Sequence, residues 1–310
     1  LVVEEKRALI EPQLKDILYN LPAGTPRPDI IGKRDLSGAP LLSETGELSV
    51  TRLAVIISQQ LLALGGPAFL GERVEALLKA APSQLADLIE RKPHYCSGCP
   101  HNTSTVVPEG SRALGGIGCH YMALWMERKT ETFSQMGGEG VAWIGTAPFT
   151  DEKHIFSNLG DGTYFHSGLM AIRAAVAGKV NITYKILYND AVAMTGGQPV
   201  DGQLSVADIT RQLAAEGVRR MVVVSDDTGK YGSNPGFAAG TEIEPRTALD
   251  KVQRALREVE GVTAIIYDQT CAAEKRRRRK RGKLADPARR VVINELVCEG
   301  CGDCSVKSNC

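Results

Sequence analysis

Between residues 154 and 267, short apolar runs alternate with amphipathic runs, and this alternation constrains the fold more than any other feature. Strand-like segments span residues 154–159, 181–188, 220–225 and 262–267, with helix-like segments at 163–177, 206–216 and 247–259. This order predicts βαβ units on a mainly parallel sheet flanked by helices. Ligands of such sheets bind at the carboxyl ends of the strands. We therefore expect an α/β domain with its site along that edge.

The part of the chain before residue 94 shows a different pattern. Helical spacing predicts helices at residues 8–19, 50–64, 69–80 and 83–91, residues 1–3 have the character of the tail of a buried strand, and residues 21–47 indicate a linker. The chain opens on Leu1 and stops at Cys310 within a cysteine pattern, so we expect it to be an internal piece of a longer protein.

Composition excludes several classes of protein. A chain of 310 residues can hold about two domains with buried cores. No apolar run approaches the roughly 18 residues of a membrane span, and the charged residues 4–7 rule out a basic start followed by an apolar signal core. The net charge of +1 gives the chain as a whole no reason to bind nucleic acid or an anionic membrane. We expect a cytoplasmic protein that uses its eight cysteines for metal or redox chemistry.

Gly160-Asp161-Gly162 lies between a strand-like and a helix-like segment. Glycines let the backbone approach a phosphate, the free amides at a helix start favour an anion, and a carboxylate suits Mg²⁺. Asn189 follows Gly162 after 26 intervening residues, at the end of the next strand-like segment. A parallel sheet brings Asp161 and Asn189 together at neighbouring strand ends, where both can hold one metal over a diphosphate. The alternative is a tight turn and an unrelated asparagine.

The first group of cysteines starts with Cys96-Ser-Gly-Cys99, a spacing that can grip one metal ion or one edge of an iron-sulfur cluster. Cys119 and Cys271 would complete four ligands if the fold gathers them. Cys271 follows the last strand-like segment, as Asp161 and Asn189 follow theirs, so we expect all three on one side of the sheet. A structural zinc ion and buried unligated thiols are the alternatives.

The second group consists of Cys298, Cys301, Cys304 and Cys310, with spacings of two, two and five intervening residues. Three thiols at this close spacing favour a [4Fe-4S] cluster over zinc. Cys310 either ligates this cluster, ligates another cluster or ligates none. Residues 275–283, eight of them basic, separate the two groups. With a Cys-x-x-Cys pair, this run also allows a zinc-bearing nucleic-acid-binding module, which we consider the weaker alternative because no basic face recurs elsewhere.

Gly-Asp-Gly followed by Asn resembles the thiamine-diphosphate motif, and the cysteines with residues 3–7, 159–166 and 271–282 resemble the large chains of indolepyruvate ferredoxin oxidoreductases, in the 2-oxoacid:ferredoxin oxidoreductase family. The resemblance covers nearly the whole chain. It implies that Asp161, Asn189 and the Ala191 carbonyl coordinate Mg²⁺ beside thiamine diphosphate. It also implies a proximal [4Fe-4S] cluster on Cys96, Cys99, Cys119 and Cys271. Pro100 stands where many family members have glycine, which favours the indolepyruvate branch.

The resemblance further implies four regions. Residues 1–93 would end a transketolase-like middle domain with linker helices, residues 94–273 would form the thiamine-diphosphate-binding domain, residues 274–284 a basic connector, and residues 285–310 the start of a truncated ferredoxin-like [4Fe-4S] module.

The implied reaction is oxidative decarboxylation of an aryl 2-oxoacid, indolepyruvate, to the acyl-CoA and CO₂, with electrons passed through [4Fe-4S] clusters to ferredoxin. Pyruvate or another 2-oxoacid is the alternative substrate. Coenzyme A, the 2-oxoacid, ferredoxin and the missing pyrimidine-binding and gamma-type domains or subunits are the expected partners, in an oligomer. No catalytic acid or base is assigned. His166 is near enough in sequence to reach the cofactor, but the structural role of a histidine is the more common one.

Overall fold

The computed structural model describes residues 1–80, 93–189, 191–200, 202, 204–289 and 291–304. The predicted helix at 83–91 and Cys310 therefore lie outside the described residues. Contacts divide the chain into two units, Leu1–Glu90 and Arg91–Cys310. None of the described helices is both long enough and apolar enough to cross a membrane.

The described part of the first unit, residues 1–80, contains three helices at the positions that helical spacing predicts, α1 (Ile10–Tyr19), α2 (Val50–Ala63) and α3 (Phe69–Ala80). Its small core consists of Leu42, Leu48 and Ile56. The expectation of a buried strand at the start of the chain is wrong, because residues 1–3 are not in a strand and the side chains of Leu1 and Val3 are 45% and 44% exposed.

The second unit is built on a parallel sheet of seven strands in the order β2-β1-β3-β4-β7-β5-β6. The strands are β1 (Ala113–Gly115), β2 (Thr130–Phe133), β3 (Ile155–Gly160), β4 (Ile182–Tyr188), β5 (Arg220–Ser225), β6 (Glu242–Pro245) and β7 (Val262–Asp268). The parallel α/β prediction is confirmed. The four long strands match the predicted segments, whereas β1, β2 and β6 are too short to show a period and were not predicted.

Helices cover both faces of the sheet. They are α4 (His101–Ser104), α5 (Val141–Thr146), α6 (Asp161–Thr163), α7 (Leu169–Ala177), α8 (Val206–Glu216), α9 (Leu249–Leu256) and α10 (Ala272–Lys280). A π-turn at Tyr164–Gly168 joins α6 to α7. Helix α8 starts at a capping box, in which Ser205 and Asp208 satisfy each other's backbone amides. The basic run at residues 275–283 was expected to be a connector. Most of it lies in helix α10.

One face of the sheet is apolar and the other carries buried polar groups. Helices α5, α7 and α8 pack on the apolar face, where Ile182, Tyr184 and Ile186 of β4 belong to the main core. On the opposite face α9 packs against apolar residues of β5 and β7, but β3 and β4 present Asn158 and Lys185, which are paired in register. Their exposure is 0% and 1%. The polar face therefore lies beneath the segment that begins with the Cys96 loop.

Lys185 is buried with two hydrogen-bond acceptors. Its Nζ donates to the Val106 carbonyl and to Gln253 Oε1, both at 3.0 Å. Burial, reinforced by the charge of Arg128, lowers the pKa of Lys185 to about 7. Folding therefore favours the neutral amine, since an ammonium ion is costly to remove from water.

We predict that Lys185 makes the free energy of unfolding depend on pH in the alkaline range. An unfolded lysine has a pKa of about 10.4, so between about pH 7 and about pH 10 the unfolded chain holds a proton that the folded chain lacks. The free energy of unfolding should rise across this window relative to a Lys185→Met variant, by at most about 1.4 kcal/mol per pH unit. Urea titrations of both proteins measure the difference, and a difference that stays constant over the window would contradict the prediction.

Candidate functional site

The residues singled out by the sequence follow the carboxyl ends of four strands that are adjacent in the sheet. Cys119 follows β1, Asp161 follows β3, Asn189 follows β4 and Cys271 follows β7, and the sheet order runs β1-β3-β4-β7. Because all these strands are parallel, the four segments emerge along one edge. The structure thus brings the predicted diphosphate residues and part of the first cysteine group to the same side of the sheet.

Asp161 links two of these strand ends. Its Oδ1 accepts a hydrogen bond from the Gly162 amide at 2.8 Å, and its Oδ2 accepts one from the Asn189 amide at 2.9 Å. The side chain is 8% exposed, so the carboxylate is held in one orientation at the start of α6. This arrangement places a fixed negative charge between the Gly160–Gly162 turn and the end of β4.

Asn189 supplies an oxygen without a partner. Its side chain is 7% exposed, and within the described part of the chain its buried Oδ1 accepts no hydrogen bond. A buried polar atom is normally satisfied, and an exception in a site points to a ligand, a water or an ion. Ala191, 3% exposed, lies two residues further along. An amide oxygen beside a carboxylate is a donor set that suits Mg²⁺, so the residues present fit the metal.

The two glycines of the turn are not tightly crowded by their neighbours. A methyl group added at Gly162 would make ordinary contact with Val192 Cγ2 at 3.7 Å, and one added at Gly160 would lie 3.5 Å from His120 Cε1. The amides of α6 begin here, at the positive end of a helical segment. The turn therefore places the start of a helix next to the Asp161 carboxylate.

The four cysteines of the first group lie close together. Burial, with the nearby thiols Cys119, Cys271 and Cys96, raises the pKa of Cys99 to about 12. Burial, with the nearby thiols of Cys271 and Cys96, likewise raises the pKa of Cys119 to about 11. A β-carbon at Gly98 would lie 3.9 Å from Ala272, so the Cys96–Cys99 loop adjoins the start of α10. The fold thus gathers the set proposed from the sequence.

Among the described residues, no three His, Cys, Asp or Glu side chains converge closely enough to hold one metal ion. The cysteines of the second group that are described, Cys298, Cys301 and Cys304, are exposed, and their role stays a prediction.

The cysteine site and the diphosphate turn are linked by backbone contacts. The Cys271 amide donates to the Asn189 carbonyl at 3.2 Å. On the other side, the loop before Cys119 covers the turn, because Thr163 Oγ1 donates to the Ile117 carbonyl at 3.5 Å. The two sites are therefore neighbours that share the ends of β1, β3, β4 and β7.

Several buried polar groups around this edge were not predicted. The rings of His101 and His120 are 6.0 Å apart, and burial lowers the pKa of the first to about 4 and of the second to about 3, so both are neutral near pH 7. Within the described residues, Asn158 has no hydrogen-bond partner for either amide atom, and Glu139 has none for Oε1. Burial raises the pKa of Glu139.

Signals for these residues were present but weak. His120 directly follows Cys119, and Glu139 sits between glycines at 138 and 140. Asn158 is an amide inside an otherwise buried strand segment. His166, by contrast, is exposed and its Nδ1 pairs with Ser167 Oγ at 2.8 Å. None of these residues has a contact that assigns it a catalytic role.

The burial of the thiols predicts their order of reaction. In metal-free, folded protein at about pH 8, a thiol reacts only through its thiolate. Cys99 and Cys119, with raised pKa values, should therefore react with iodoacetamide much more slowly than the exposed Cys96. Peptide mapping by mass spectrometry after timed labelling measures the three rates. Equal rates for the three residues in folded protein would show that the cysteines are not arranged in this way.

Part of the chain matches a family model, and nearly all of it matches curated proteins. Residues 116–259 match the family model described as "Thiamine pyrophosphate enzyme, C-terminal TPP binding domain". The chain is 27% identical over 327 residues to indolepyruvate oxidoreductase subunit IorA of Thermococcus kodakarensis, and 26% identical over 324 residues to that of Pyrococcus horikoshii. Each match covers 98% of this chain and 46% of the relative, so the chain spans about half the length of these relatives.

A solved 2-oxoglutarate:ferredoxin oxidoreductase from Magnetococcus marinus overlaps 58% of this chain and 65% of its own, at 16% identity and a TM-score of 0.45. The matches to the curated relatives confirm the resemblance that the sequence motifs indicate. The chain is similar to IorA subunits over 98% of its length, and its residues 116–259 match the model of a C-terminal TPP binding domain.

Proposed function

We propose that this chain supplies the thiamine-diphosphate-binding part of a 2-oxoacid:ferredoxin oxidoreductase acting on indolepyruvate. One observation carries the proposal. The Oδ1 of Asn189 is buried and has no partner among the described residues, and the backbone amide of Asn189 donates to the carboxylate of Asp161, at the start of a helix and within the matching domain. The complete enzyme would convert a 2-oxoacid and coenzyme A to an acyl-CoA, CO₂, one proton and two electrons.

In this proposal Asp161, Asn189 Oδ1 and the Ala191 carbonyl hold Mg²⁺, and the turn at residues 160–162 receives the diphosphate. Thiamine diphosphate supplies the electron sink for decarboxylation when it is bound. Asp161 has a second role. Its carboxylate accepts a hydrogen bond from the backbone N–H of Asn189, and this bond fixes the Asn189 backbone relative to the other proposed metal ligand. The fixed ligand set lowers the ordering cost of binding, which is the benefit of a preorganised site.

The four thiols of Cys96, Cys99, Cys119 and Cys271 would hold a [4Fe-4S] cluster beside the cofactor. A cluster here fits the chemistry, because two electrons must leave the site one at a time for a one-electron carrier such as ferredoxin. The buried imidazoles of His101 and His120 adjoin the same segments, where polar neighbours tune the potential of a cluster. Cys298, Cys301 and Cys304, with Cys310 outside the described residues, would hold a further cluster.

The relatives named IorA are called subunits of an indolepyruvate oxidoreductase, and this favours indolepyruvate as the substrate. Pyruvate or another 2-oxoacid is the alternative, to be decided by assaying a panel of 2-oxoacids with coenzyme A and ferredoxin. We propose that the assay requires a pyrimidine-binding domain and a gamma-type domain or subunit as partners, in a cytoplasmic oligomer.

We predict that cofactor binding depends on Asp161. Asp161→Ala removes the charged ligand and the hydrogen bond that the Asn189 backbone N–H makes to it. The affinity for thiamine diphosphate with Mg²⁺ should therefore fall by at least about 100-fold. Asp151→Ala is the matched control, because Asp151 is an exposed aspartate near the start of β3. Calorimetric titration of both variants and the wild type in the full chain measures this. Equal affinity in the Asp161 and Asp151 variants would overturn the assigned site.

We also predict the metal content. Protein purified without oxygen should contain about four iron and four sulfide ions per cluster. A Cys99→Ser variant should lose the iron of one cluster and keep that of the other. Elemental analysis with a sulfide assay tests this, and stoichiometric zinc without sulfide would contradict the iron-sulfur assignment.

A further inference from the structure

Helix α10 is fastened to the candidate site at its start. Its first turn follows Cys271, whose amide donates to the Asn189 carbonyl at the end of β4. Lys275 Nζ then pairs with Asp226 Oδ2 at 3.0 Å, beyond the end of β5. These two contacts attach the helix to the sheet edge, although none of its side chains is fully buried.

The segment of residues 191–198, here called the cofactor loop, lies against the Gly160–Gly162 turn. It is closed by two backbone hydrogen bonds, from Val192 to Gln198 at 2.8 Å and from Gly197 to Val192 at 2.9 Å. On one side of the loop, Val192 Cγ2 lies 3.7 Å from where a β-carbon on Gly162 would be. The loop begins at Ala191, the proposed source of a backbone metal ligand.

Arg277 of α10 covers the other side of the cofactor loop. Gly197 has φ +79°, and a β-carbon there would lie 2.0 Å from Arg277 Nη1, 2.8 Å from its Cζ and 2.9 Å from its Nη2. Three guanidinium atoms this close mean that the planar group rests on the glycine itself. Only a residue without a β-carbon leaves that space, and this φ also favours glycine.

The orientation of Arg277 is fixed from its own helix. Its Nη1 donates to Glu274 Oε2 at 2.9 Å, while the other oxygen of Glu274 accepts from Arg278 Nε at 3.2 Å. The Glu274 side chain is 13% exposed. A largely buried carboxylate, that of Glu274, therefore holds the Arg277 guanidinium over Gly197.

We propose that Arg277 is a positioning residue that clamps the cofactor loop against the Gly160–Gly162 turn. The clamp sets where Ala191 stands relative to Asp161 and Asn189 before the cofactor arrives. The same helix begins at Cys271, so one element contacts both the thiol site and the cofactor loop. This inference rests on the proposed function for its effect on cofactor affinity, but the clamp itself is a property of the chain alone.

The first test compares Arg277→Gln with Arg276→Gln in the full chain. Arg276 is the matched control, because it is exposed on the same helix and its Nε donates to the Ala272 carbonyl of that helix. Without cofactor, the amides of Val192 and Gly197 should exchange with deuterium about five to ten times faster in the Arg277 variant, the effect of losing one charged contact. With Mg²⁺, its affinity for thiamine diphosphate should fall by a similar factor.

A second test uses Gly197→Ala with and without Arg277→Ala. The new methyl group collides with the guanidinium in the wild-type background, and the Arg277→Ala background removes that collision while leaving the φ strain. The loss of thiamine diphosphate affinity caused by Gly197→Ala should therefore be smaller in the second background. Equal losses in both backgrounds, or equal exchange rates in the Arg277→Gln and Arg276→Gln variants, would overturn the clamp. A wild-type chain that binds no thiamine diphosphate would instead refute the proposed function, while amide exchange would still decide the clamp.

Discussion

The hydrogen bond from the Asn189 amide to the Asp161 carboxylate, at 2.9 Å, is the contact on which the site depends. It joins the ends of β3 and β4, which are neighbours in the sheet. The bond also leaves the side-chain amide oxygen of Asn189 buried and available for a ligand within the described residues. The backbone thus brings the two proposed metal ligands together, next to the start of α6.

The same sheet edge carries two of the cysteines proposed to hold a cluster. Cys119 and Cys271 follow the strands that flank β3 and β4, so the parallel order places one thiol on each side of Asp161 and Asn189. The loop with Cys96 and Cys99 reaches the start of α10. The polar residues on the underlying sheet face, Asn158 and Lys185, cost folding energy in a region that an apolar core would otherwise fill.

The sequence predicts the long segments that have a clear apolar period. It does not predict the elements that are held in place by tertiary contacts. Segments such as Arg220–Ser225 and Val206–Glu216 were predicted with their observed bounds, because their apolar periods are set by a core. Helix α10 has no such period. It is held by the Lys275–Asp226 ion pair and by the Cys271 amide, neither of which a local pattern reveals. Residues 1–3 are as apolar as a strand but have no partner strand among the described residues.

The sequence indicates the candidate site residues more directly than it indicates the residues that surround them. Gly160-Asp161-Gly162, Asn189 and the first four cysteines stand at strand ends, where position along the chain implies position in space. Their neighbours His120, Glu139 and Arg277 meet the site through loops and a helix whose paths no spacing rule describes. Gly197 is instructive, because its sequence context shows only a flexible turn, whereas the structure shows a guanidinium resting on it.

We propose that Asp161 and Asn189 together bind the metal of a diphosphate cofactor. The most direct measurement is a crystal structure of the full chain with thiamine diphosphate and Mg²⁺. We expect the Asp161 carboxylate and Asn189 Oδ1 to lie about 2.1 Å from one Mg²⁺ ion, with the diphosphate at the turn of residues 160–162. A cofactor bound elsewhere, or a metal that contacts neither side chain, would contradict this account.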